Sequence, residues 1–300
     1  MKQIAIIAPT ASGKTSLSIS LAHKTNSIIL SLDSLAIYKQ IDIASAKPTL
    51  EERDGIVHFG IDEIYPDEKF DVMKFIEIYK RAKDYAISNN KNLIIVGGTG
   101  FYLKAMIDGI SYIPTASIGV QNIIDEKLIT FSSAELYEYM SRIDEKYMQN
   151  IKSNDSYRIE KALSVYLITK QKPSVYFEQN PANPIIKDIQ LFEIVWDREL
   201  LRKRIELRTN IMFESGLINE VCFLQNIYTR DLSSMKSIGI KEVLEYLDCK
   251  ITKKEAIKKV AISTAQLAKR QRTFNNGQFK DVIKLPLSKM EKAILKYFNI

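Results

Sequence analysis

The segment Ile6–Ser16, IIAPTASGKTS, decides the fold class of this 300-residue chain. Its Gly-Lys-Thr end matches the last positions of the phosphate-binding P-loop, in which backbone N–H groups at a helix N-terminus hold an anion. In that loop the lysine reaches the terminal phosphates and the hydroxyl after it can hold Mg²⁺. We therefore predict a phosphate or diphosphate site formed by Ala8, Pro9, Thr10, Ala11, Ser12, Gly13, Lys14 and Thr15, with Thr15 as the metal-holding residue.

The first position of the loop departs from the pattern, because Ala8 stands where a glycine is usual. Glycine normally permits a tight backbone turn at this place. Ala8 can replace it if the backbone there stays at negative φ. A short apolar run precedes the loop and a helical pattern follows it, which supports the prediction.

The first hundred residues alternate between strand and helix signals. Buried strands are predicted at Ile4–Ala8, Ser27–Ser34 and Asn92–Gly100, and helices at Thr15–His23 and Phe70–Ser88. This alternation predicts an α/β fold, with a P-loop NTPase-like parallel sheet core and helices on both faces. Ligands of such sheets bind beyond the carboxyl ends of the strands. The polar ends of the three strands should therefore converge on one cleft.

The pattern changes near Pro114. Helical signals without a convincing strand run from Thr115 to about Lys170, and the Pro- and Asn-rich stretch Gln171–Lys187 resembles a connector. A strand pattern resumes at Leu191–Trp196. We expect three parts: the first part of the P-loop core at 1–113, a mainly helical insertion at 114–187, and the core completion with basic C-terminal helices at 188–300.

Two polar residues follow predicted strands. Asp33 would be a Mg²⁺ ligand or a general base beside the phosphate loop, or else a helix cap or turn acid. Ser34, Leu35 and Ala36 could line a groove for a second substrate. Thr99 lies among glycines that would let the backbone approach a ligand, or that form only a sharp turn.

Two arginines, Arg204 and Arg208, are one helical turn apart and point the same way. Guanidinium groups suit a polyphosphate, although a surface salt-bridge ladder would have the same spacing.

The basic charge is concentrated in one stretch. The chain carries a net charge of +7, and Ile251–Phe274 holds seven basic residues against one acid. Such a surplus favours a polyanion such as nucleic acid, or it is a solvated helix face.

No run is long enough to span a membrane, and Cys222 and Cys249 lack any metal-binding spacing. These features predict a cytoplasmic protein.

Several segments, in their order along the chain, resemble those of the tRNA dimethylallyltransferases. They are PTASGKT, SLDSLAIYKQIDIASAKPT, FDVMKF, LIIVGGTGFYLKAMIDGI, NDSYRIEKAL, RIELRTNIMFESGLINEV, SIGIKEVLEYL and AKRQRTF. The resemblance runs from about Ile4 to Phe274. It implies a P-loop core with a helical insertion that grips the anticodon stem-loop of tRNA.

The resemblance also implies an activity. The family transfers a dimethylallyl group from dimethylallyl diphosphate to N6 of the adenosine immediately 3′ of the anticodon, with Mg²⁺ assisting and diphosphate leaving. A monomer is expected. Carried over by position, Asp33 would be the catalytic base, Thr99 would lie near the transferred group, and Arg208 before Arg204 would join Lys14 and Thr15 at the diphosphate. The tRNA contacts would be Asp33, Ser34, Leu35, Ala36, Thr99, Tyr157, Arg158, Ile159, Glu160 and Lys161.

Three other functions are weighed against this one. An enzyme that prenylates free adenine nucleotides would have little use for a helical insertion or a basic C-terminal helix. A small-molecule or nucleoside kinase would use the same loop to move a phosphoryl group from ATP. A nucleotide-switched RNA-binding regulator would bind without chemistry.

The basic stretch generates a first prediction. Neutralising several cations between Lys253 and Arg272 should weaken tRNA binding and flatten its dependence on salt, because fewer counterions are released. The measurement is the tRNA dissociation constant over a series of salt concentrations. An unchanged slope would identify these residues as an ordinary solvated face.

Overall fold

The computed structural model describes residues 1–300 and divides into two compact units. The first comprises Met1–Ala105 with Ile186–Ile300, and the second is Met106–Ile185. The second unit begins before the predicted residue 114 because the two ends of the insertion pair with each other. Ile185 N donates to Met106 O at 2.9 Å, and Ile110 forms a bridge with Asn183. No helix combines the length and the apolar character that crossing a membrane requires.

Six strands and thirteen helices follow one another along the chain. Their bounds are β1 (Gln3–Ile7), α1 (Lys14–Lys24), β2 (Ser27–Leu32), β3 (His58–Phe59), α2 (Val72–Ser88), β4 (Asn92–Gly97), α3 (Gly100–Asp108), α4 (Ile118–Thr130), α5 (Ser133–Ile143), α6 (Glu145–Met148), α7 (Ser156–Thr169), α8 (Pro173–Gln179), β5 (Gln190–Val195), α9 (Arg198–Glu214), α10 (Leu217–Ile227), α11 (Ile240–Leu247), α12 (Lys253–Gln278), β6 (Val282–Pro286) and α13 (Leu287–Phe298).

All six strands form one parallel sheet in the order β3-β2-β4-β1-β5-β6. The register aligns the ends of the central strands, with Ile7 of β1 and Leu32 of β2 both opposite Gly97 of β4. This confirms the predicted α/β fold and its parallel sheet. The ends of β1, β2 and β4 therefore lie at one level, where the first turns after the strands can meet.

The two faces of the sheet are buried under different helices. On one face, Ile94 and Val96 pack in a cluster with Leu21 of α1 and Met290 of α13. Side chains of a strand alternate between its two faces, so Leu93, which precedes Ile94, points to the other face of the sheet. There α2 packs on β2 and β4 through an apolar stripe of Phe75, Ile76, Tyr79, Ala82 and Ala86. The continuous apolar strands of the sequence reflect this burial on both sides.

The second unit is helical. Helices α4 to α7 enclose a core that includes Ile124, Met140, Ile159 and Leu163. The connector predicted at 171–187 is in part a helix, because α8 begins with Pro173 at its first position, where proline is well tolerated.

Two strands were missed by the sequence patterns. β3 is only two residues long, and β6 is a half-exposed edge strand that ends in a proline. Helices dominate after Leu191–Trp196, as the sequence indicates, and β6 is the one strand among them.

Close packing at the end of β4 generates a stability prediction. A Cβ at Gly97 would lie 2.0 Å from the backbone oxygen of Leu32, whereas one at Gly277 in α12 meets nothing within 4 Å. Gly97→Ala should cost on the order of 3 kcal/mol of unfolding free energy, since sheet backbone cannot move aside. Gly277→Ala should gain about 0.5–1 kcal/mol from helix propensity.

Urea unfolding of both variants checks this pair. Equal stability of the Gly97→Ala variant and the unmodified chain would mean that β2 and β4 do not approach as described.

Candidate active site

The turn between β1 and α1 has the geometry of an anion-binding loop. Ala8 is fully buried, its N–H donates to Gly97 O at 3.2 Å, and its φ is not positive. The left-handed positions of the loop are Ala11 (φ 60°) and Gly13 (φ 84°). The condition under which Ala8 can stand in for glycine is therefore met. Lys14 then begins α1, so the helix N-terminus faces the loop.

Four side chains from distant parts of the chain bind the loop. The Thr10 hydroxyl accepts a hydrogen bond from Arg208 Nη1 at 2.9 Å, and the Thr10 backbone N–H donates to Gln271 Oε1 at 3.2 Å. The Ala11 carbonyl accepts from Arg204 Nε at 2.8 Å, and the Ser12 carbonyl accepts from Trp196 Nε1 at 3.0 Å. The loop is thus held by Trp196, which directly follows β5, and by α9 and α12, as well as by its own backbone.

A cleft of about 480 Å³ opens at the ends of the central strands. It brings together most of the residues predicted near the reaction, from three strand ends and α9. These are Thr10, Lys14, Asp33, Ser34, Leu35, Thr99 and Arg208. The predicted convergence of the strand ends on one cleft is confirmed.

Asp33 follows β2 directly and has one oxygen committed to the backbone. Its Oδ1 accepts hydrogen bonds from Leu35 N at 2.8 Å and from Ala36 N at 3.2 Å. These bonds make Asp33 a turn acid, which is one of the roles that the sequence left open. Its Oδ2 has no hydrogen bond within the chain and is left to face the cleft. One carboxylate therefore orders the Ser34–Ala36 turn and also offers a free oxygen to a substrate.

The turn after β4 places Thr99 in the cleft. Gly98 N and Thr99 N both donate to Leu32 O at 3.2 Å, which joins this turn to the end of β2. A Cβ at Gly98 would lie 2.3 Å from Gln271 Nε2, and one at Gly100 would lie 2.6 Å from Asn275 Oδ1. A side chain at either glycine would therefore have to displace side chains of α12.

Two cations of the cleft, Lys14 and Arg208, interact electrostatically with its one acid, Asp33, and a third cation, Arg270, also lines the cleft. Burial lowers the pKa of Lys14 to about 8, with the Arg208 guanidinium adding to the shift and Asp33 opposing it. Burial also lowers the pKa of Arg208, and Asp33 again opposes the change. Two cations kept close together in a partly dehydrated cleft are stabilised by an anion, so the unliganded site is prepared for one.

The loop after Asp33 is anchored by a carboxylate of α10. Glu220 accepts backbone N–H groups of Asp42, Ile43 and Ala44 at 2.9, 2.7 and 2.9 Å. Further along the loop, buried Lys47 pairs with Asp42 at 2.6 Å and also with Asp62. These bonds hold Ala44 and Ser45 in the wall of the cleft.

Seven of the ten predicted loop and arginine positions lie outside the cleft lining, namely Ala8, Pro9, Ala11, Ser12, Gly13, Thr15 and Arg204. Ala8 is in the sheet core, Pro9 lines a different cavity, and Arg204 is exposed, with its guanidinium 4.8 Å from the Trp196 ring centroid. Arg204 holds the loop backbone, whereas Arg208 reaches the cleft. Ser12 is also fully buried, and its hydroxyl has no partner.

The predicted tRNA-contacting stretch of the insertion lies on α7. Tyr157 and Arg158 are exposed, Glu160 and Lys161 are half-buried, and Lys161 Nζ is 5.6 Å from the Tyr157 ring centroid. Ile159 is fully buried in the core of the second unit. Its side chain therefore supports the helix and is not offered to a ligand.

Sequence reasoning assigned no role to Gln271 and Phe274 of α12 and counted Arg270 only among the basic charges, yet all three line the cleft. They belong to the segment AKRQRTF. A helical-face analysis of that segment would have found them, since Phe274 lies three and four positions, or one helical turn, after Gln271 and Arg270.

Mg²⁺ fits the oxygen donors at the loop. Thr15 and Asp33 line one small cavity of about 60 Å³ together with Lys14 and Arg208. The chain offers no group of three acidic, histidine or cysteine side chains that would enclose a metal. Mg²⁺ commonly binds through one or two protein oxygens, water and substrate phosphates, which this donor set allows.

Comparisons with known proteins agree on one family. The family model described as IPP transferase matches residues 36–278. A tRNA dimethylallyltransferase of Aliarcobacter butzleri is 54% identical over 300 residues, which is 100% of both chains. A tRNA dimethylallyltransferase of Sulfurovum is 51% identical and covers 99% of this chain and 98% of its own.

Solved structures give the same picture. A tRNA delta(2)-isopentenylpyrophosphate transferase from Staphylococcus epidermidis is 32% identical with a TM-score of 0.69, over 99% of this chain and 98% of that one. A eukaryotic dimethylallyltransferase captured acting on tRNA shares the fold, with a TM-score of 0.84 at 24% identity, over 100% of this chain and 79% of its own.

The lowered pKa of Lys14 generates a prediction for anion binding. With a pKa of about 8 in the free protein, Lys14 is partly neutral above pH 8, and a bound anion raises its pKa. Inorganic pyrophosphate should therefore bind with proton uptake just above pH 8, and its affinity should fall as the pH rises further. Calorimetry in buffers of different ionisation enthalpy measures this uptake.

Lys14→Arg is the matched control, because a guanidinium stays charged over this range. Proton changes of pyrophosphate itself are common to both proteins and cancel in the comparison. Equal proton uptake by the two proteins would show that Lys14 is not the titrating group.

Proposed function

The chain belongs to the IPP transferase family, and from this we propose that it transfers a dimethylallyl group from dimethylallyl diphosphate to N6 of the adenosine immediately 3′ of the anticodon in tRNA. Diphosphate is the leaving group. The observation that carries the proposal is the single cleft that Asp33 lines together with the cations Lys14 and Arg208, with which it interacts electrostatically. A proton acceptor and an anion site within one space suit alkylation with loss of an anion.

The phosphate loop would hold the diphosphate of the donor. Backbone N–H groups at the start of α1, Lys14 and Arg208 would neutralise the charge that grows as the bond between the allylic C1 and the diphosphate oxygen breaks. Arg208 is already oriented by its bond to the Thr10 hydroxyl. No phosphoryl group moves in this reaction, so the loop would serve a departing anion.

The acceptor needs a base, because the exocyclic amine of adenine is a poor nucleophile. N6 would attack C1 of the allyl group, the C1–O bond would break, and Asp33 would accept the N6 proton through its free Oδ2. The backbone bonds to Oδ1 hold that carboxylate in position. Thr99, on the facing turn, would lie beside the transferred group.

The other cleft residues would accommodate the allylic chain and the base. Apolar side chains line its walls, among them Leu35, Met212, Ile238, Leu267 and Phe274. The adenine must leave its stack to enter, which an RNA loop permits at low cost. Mg²⁺, held by Thr15 and the diphosphate oxygens, would supply further charge neutralisation for the leaving group.

The RNA partner would be the anticodon stem-loop. The exposed cations of α12 and the exposed residues Tyr157 and Arg158 of α7 would contact it, and Ser34–Ala36 would lie near the entering base.

We further propose that the enzyme acts as a cytoplasmic monomer. The kinase and regulator alternatives have no support from the family model or the relatives, which are transferases by name.

Substitution of Asp33 tests the chemistry. Asp33→Asn can still accept the Leu35 and Ala36 N–H groups at its amide oxygen but cannot take a proton. We expect turnover to fall roughly 10²–10⁴-fold, the usual worth of a positioned base, with tRNA affinity nearly unchanged. The readout is mass spectrometry of anticodon-arm RNA after incubation with dimethylallyl diphosphate and Mg²⁺.

Asp71→Asn is the matched control, because Asp71 accepts backbone bonds from Met73 and Lys74 at the start of α2 and lines no part of the cleft. It should leave turnover within about twofold. A loss below tenfold in the Asp33 variant would count against the base, and RNA of unchanged mass with the unmodified enzyme would overturn the proposed function.

A further inference from the structure

A second cavity, of about 320 Å³, lies beside the end of β5 and apart from the active-site cleft. Its walls come from the last residues of β5, the first half of α9 and the C-terminal half of α12, and it reaches the phosphate loop only at Pro9. The packed contact of Ala11, Ile205 and Ala268 lies between α9, α12 and the loop. No chemical step of the proposed transfer uses the cavity's charged residues, although two of its cations, Lys269 and Arg272, belong to the basic stretch proposed to contact RNA.

Four cations from two helices line this cavity, namely Arg198, Arg202, Lys269 and Arg272. None of their side chains makes a hydrogen bond or ion pair within the chain, in contrast to Arg204 on the same helix. The acid in the lining, Glu193, is already neutralised by Lys284 at 3.2 Å. The cavity therefore carries uncompensated positive charge, and guanidinium groups are suited to the paired oxygens of phosphates.

The remaining lining is largely apolar. Ile194, Leu201 and Ala265 contribute to it, and Val195 and Ile262 are 41% and 43% exposed. Large apolar side chains left open between cations indicate a ligand that has both an anionic and an apolar part. A solvated face of a basic helix would explain the charges but not the apolar cavity between them.

The volume limits the size of the apolar part. A cavity of about 150 Å³ holds one benzene molecule, so about twice that volume has room for ten or more carbon atoms. A five-carbon chain would leave much of the space empty.

We propose that this cavity is a second binding site, for an organic diphosphate whose apolar chain is longer than five carbons. Its cations would hold the diphosphate, and Ile194, Leu201 and Ile262 would contact the chain. The ligand is thus a larger relative of the proposed donor, and its binding does not depend on whether the chain prenylates RNA.

Direct binding to the full chain tests this proposal. Geranyl diphosphate, which carries ten carbons, is the probe, and a Lys14→Ala/Arg208→Ala/Arg270→Ala variant removes the cationic side chains of the cleft. Calorimetry on that variant should show one remaining equivalent of geranyl diphosphate. Inorganic pyrophosphate and geraniol, which are the head and the tail alone, should each bind at least tenfold more weakly.

Two further changes in the same background locate the site. Arg202→Gln should weaken geranyl diphosphate binding about tenfold, equivalent to 1.4 kcal/mol, whereas Lys203→Gln, on the same helix but outside the cavity, should change it less than twofold. Ala265→Leu should fill part of the cavity and weaken binding of the ten-carbon ligand. Thermal unfolding confirms that each variant is folded.

Several outcomes would overturn the proposal. They are no binding by the variant that lacks the cleft cations, equal binding of pyrophosphate and geranyl diphosphate, and equal effects of Arg202→Gln and Lys203→Gln. Weaker binding of anticodon-arm RNA in the Arg202→Gln variant, with unchanged geranyl diphosphate binding, would assign these cations to RNA. Loss of RNA prenylation alone would bear on the proposed function and leave this site untouched.

Discussion

The backbone oxygen of Leu32 is the point on which the active-site geometry depends. It accepts N–H groups from both Gly98 and Thr99, and it lies where any side chain at Gly97 would have to be. These contacts join the ends of β2 and β4 so closely that the turns after them must share one space. Asp33 follows one strand and Thr99 follows the other. Both residues therefore lie in the cleft because these two neighbouring strands end side by side.

The phosphate loop is stabilised from the opposite side by α9 and α12. Trp196, Arg204, Arg208 and Gln271 each form a bond with it, so the loop depends on residues nearly two hundred positions away or more. This dependence explains why Ala8 is acceptable in place of glycine. The backbone turns at Ala11 and Gly13 instead, and the external bonds hold that conformation.

The sequence predicted the features that arise from local chemistry. Buried parallel strands appear as continuous apolar runs, and the Gly13-Lys14-Thr15 motif marks the start of α1 in any context. β3 and β6 were not predicted in this way, because β3 has only two residues and the short apolar stretch of β6 is interrupted by Lys284 and ends at Pro286. The anchoring of the loop by Glu220 was equally hidden, since a carboxylate that binds three backbone N–H groups looks, in sequence, like any surface acid of a helix.

Arg204 and Arg208 show where position on a helix ceases to determine a role. Their spacing correctly places both on the same face of α9, the face that meets the phosphate loop. The loop passes that face at an angle, however, so the first arginine meets the Ala11 carbonyl and the Trp196 ring, and the second meets the Thr10 hydroxyl and the cleft. Arg204 therefore binds the loop itself, whereas Arg208, one helical turn later, is placed to bind the anion that the loop binds. A second pair one helical turn apart, Arg198 and Arg202, lies on a different face of α9, meets neither the loop nor an acid, and lines a separate cavity. The cations of α9 therefore lie in three different environments. The element that packs against each part of the helix determines which environment a cation has.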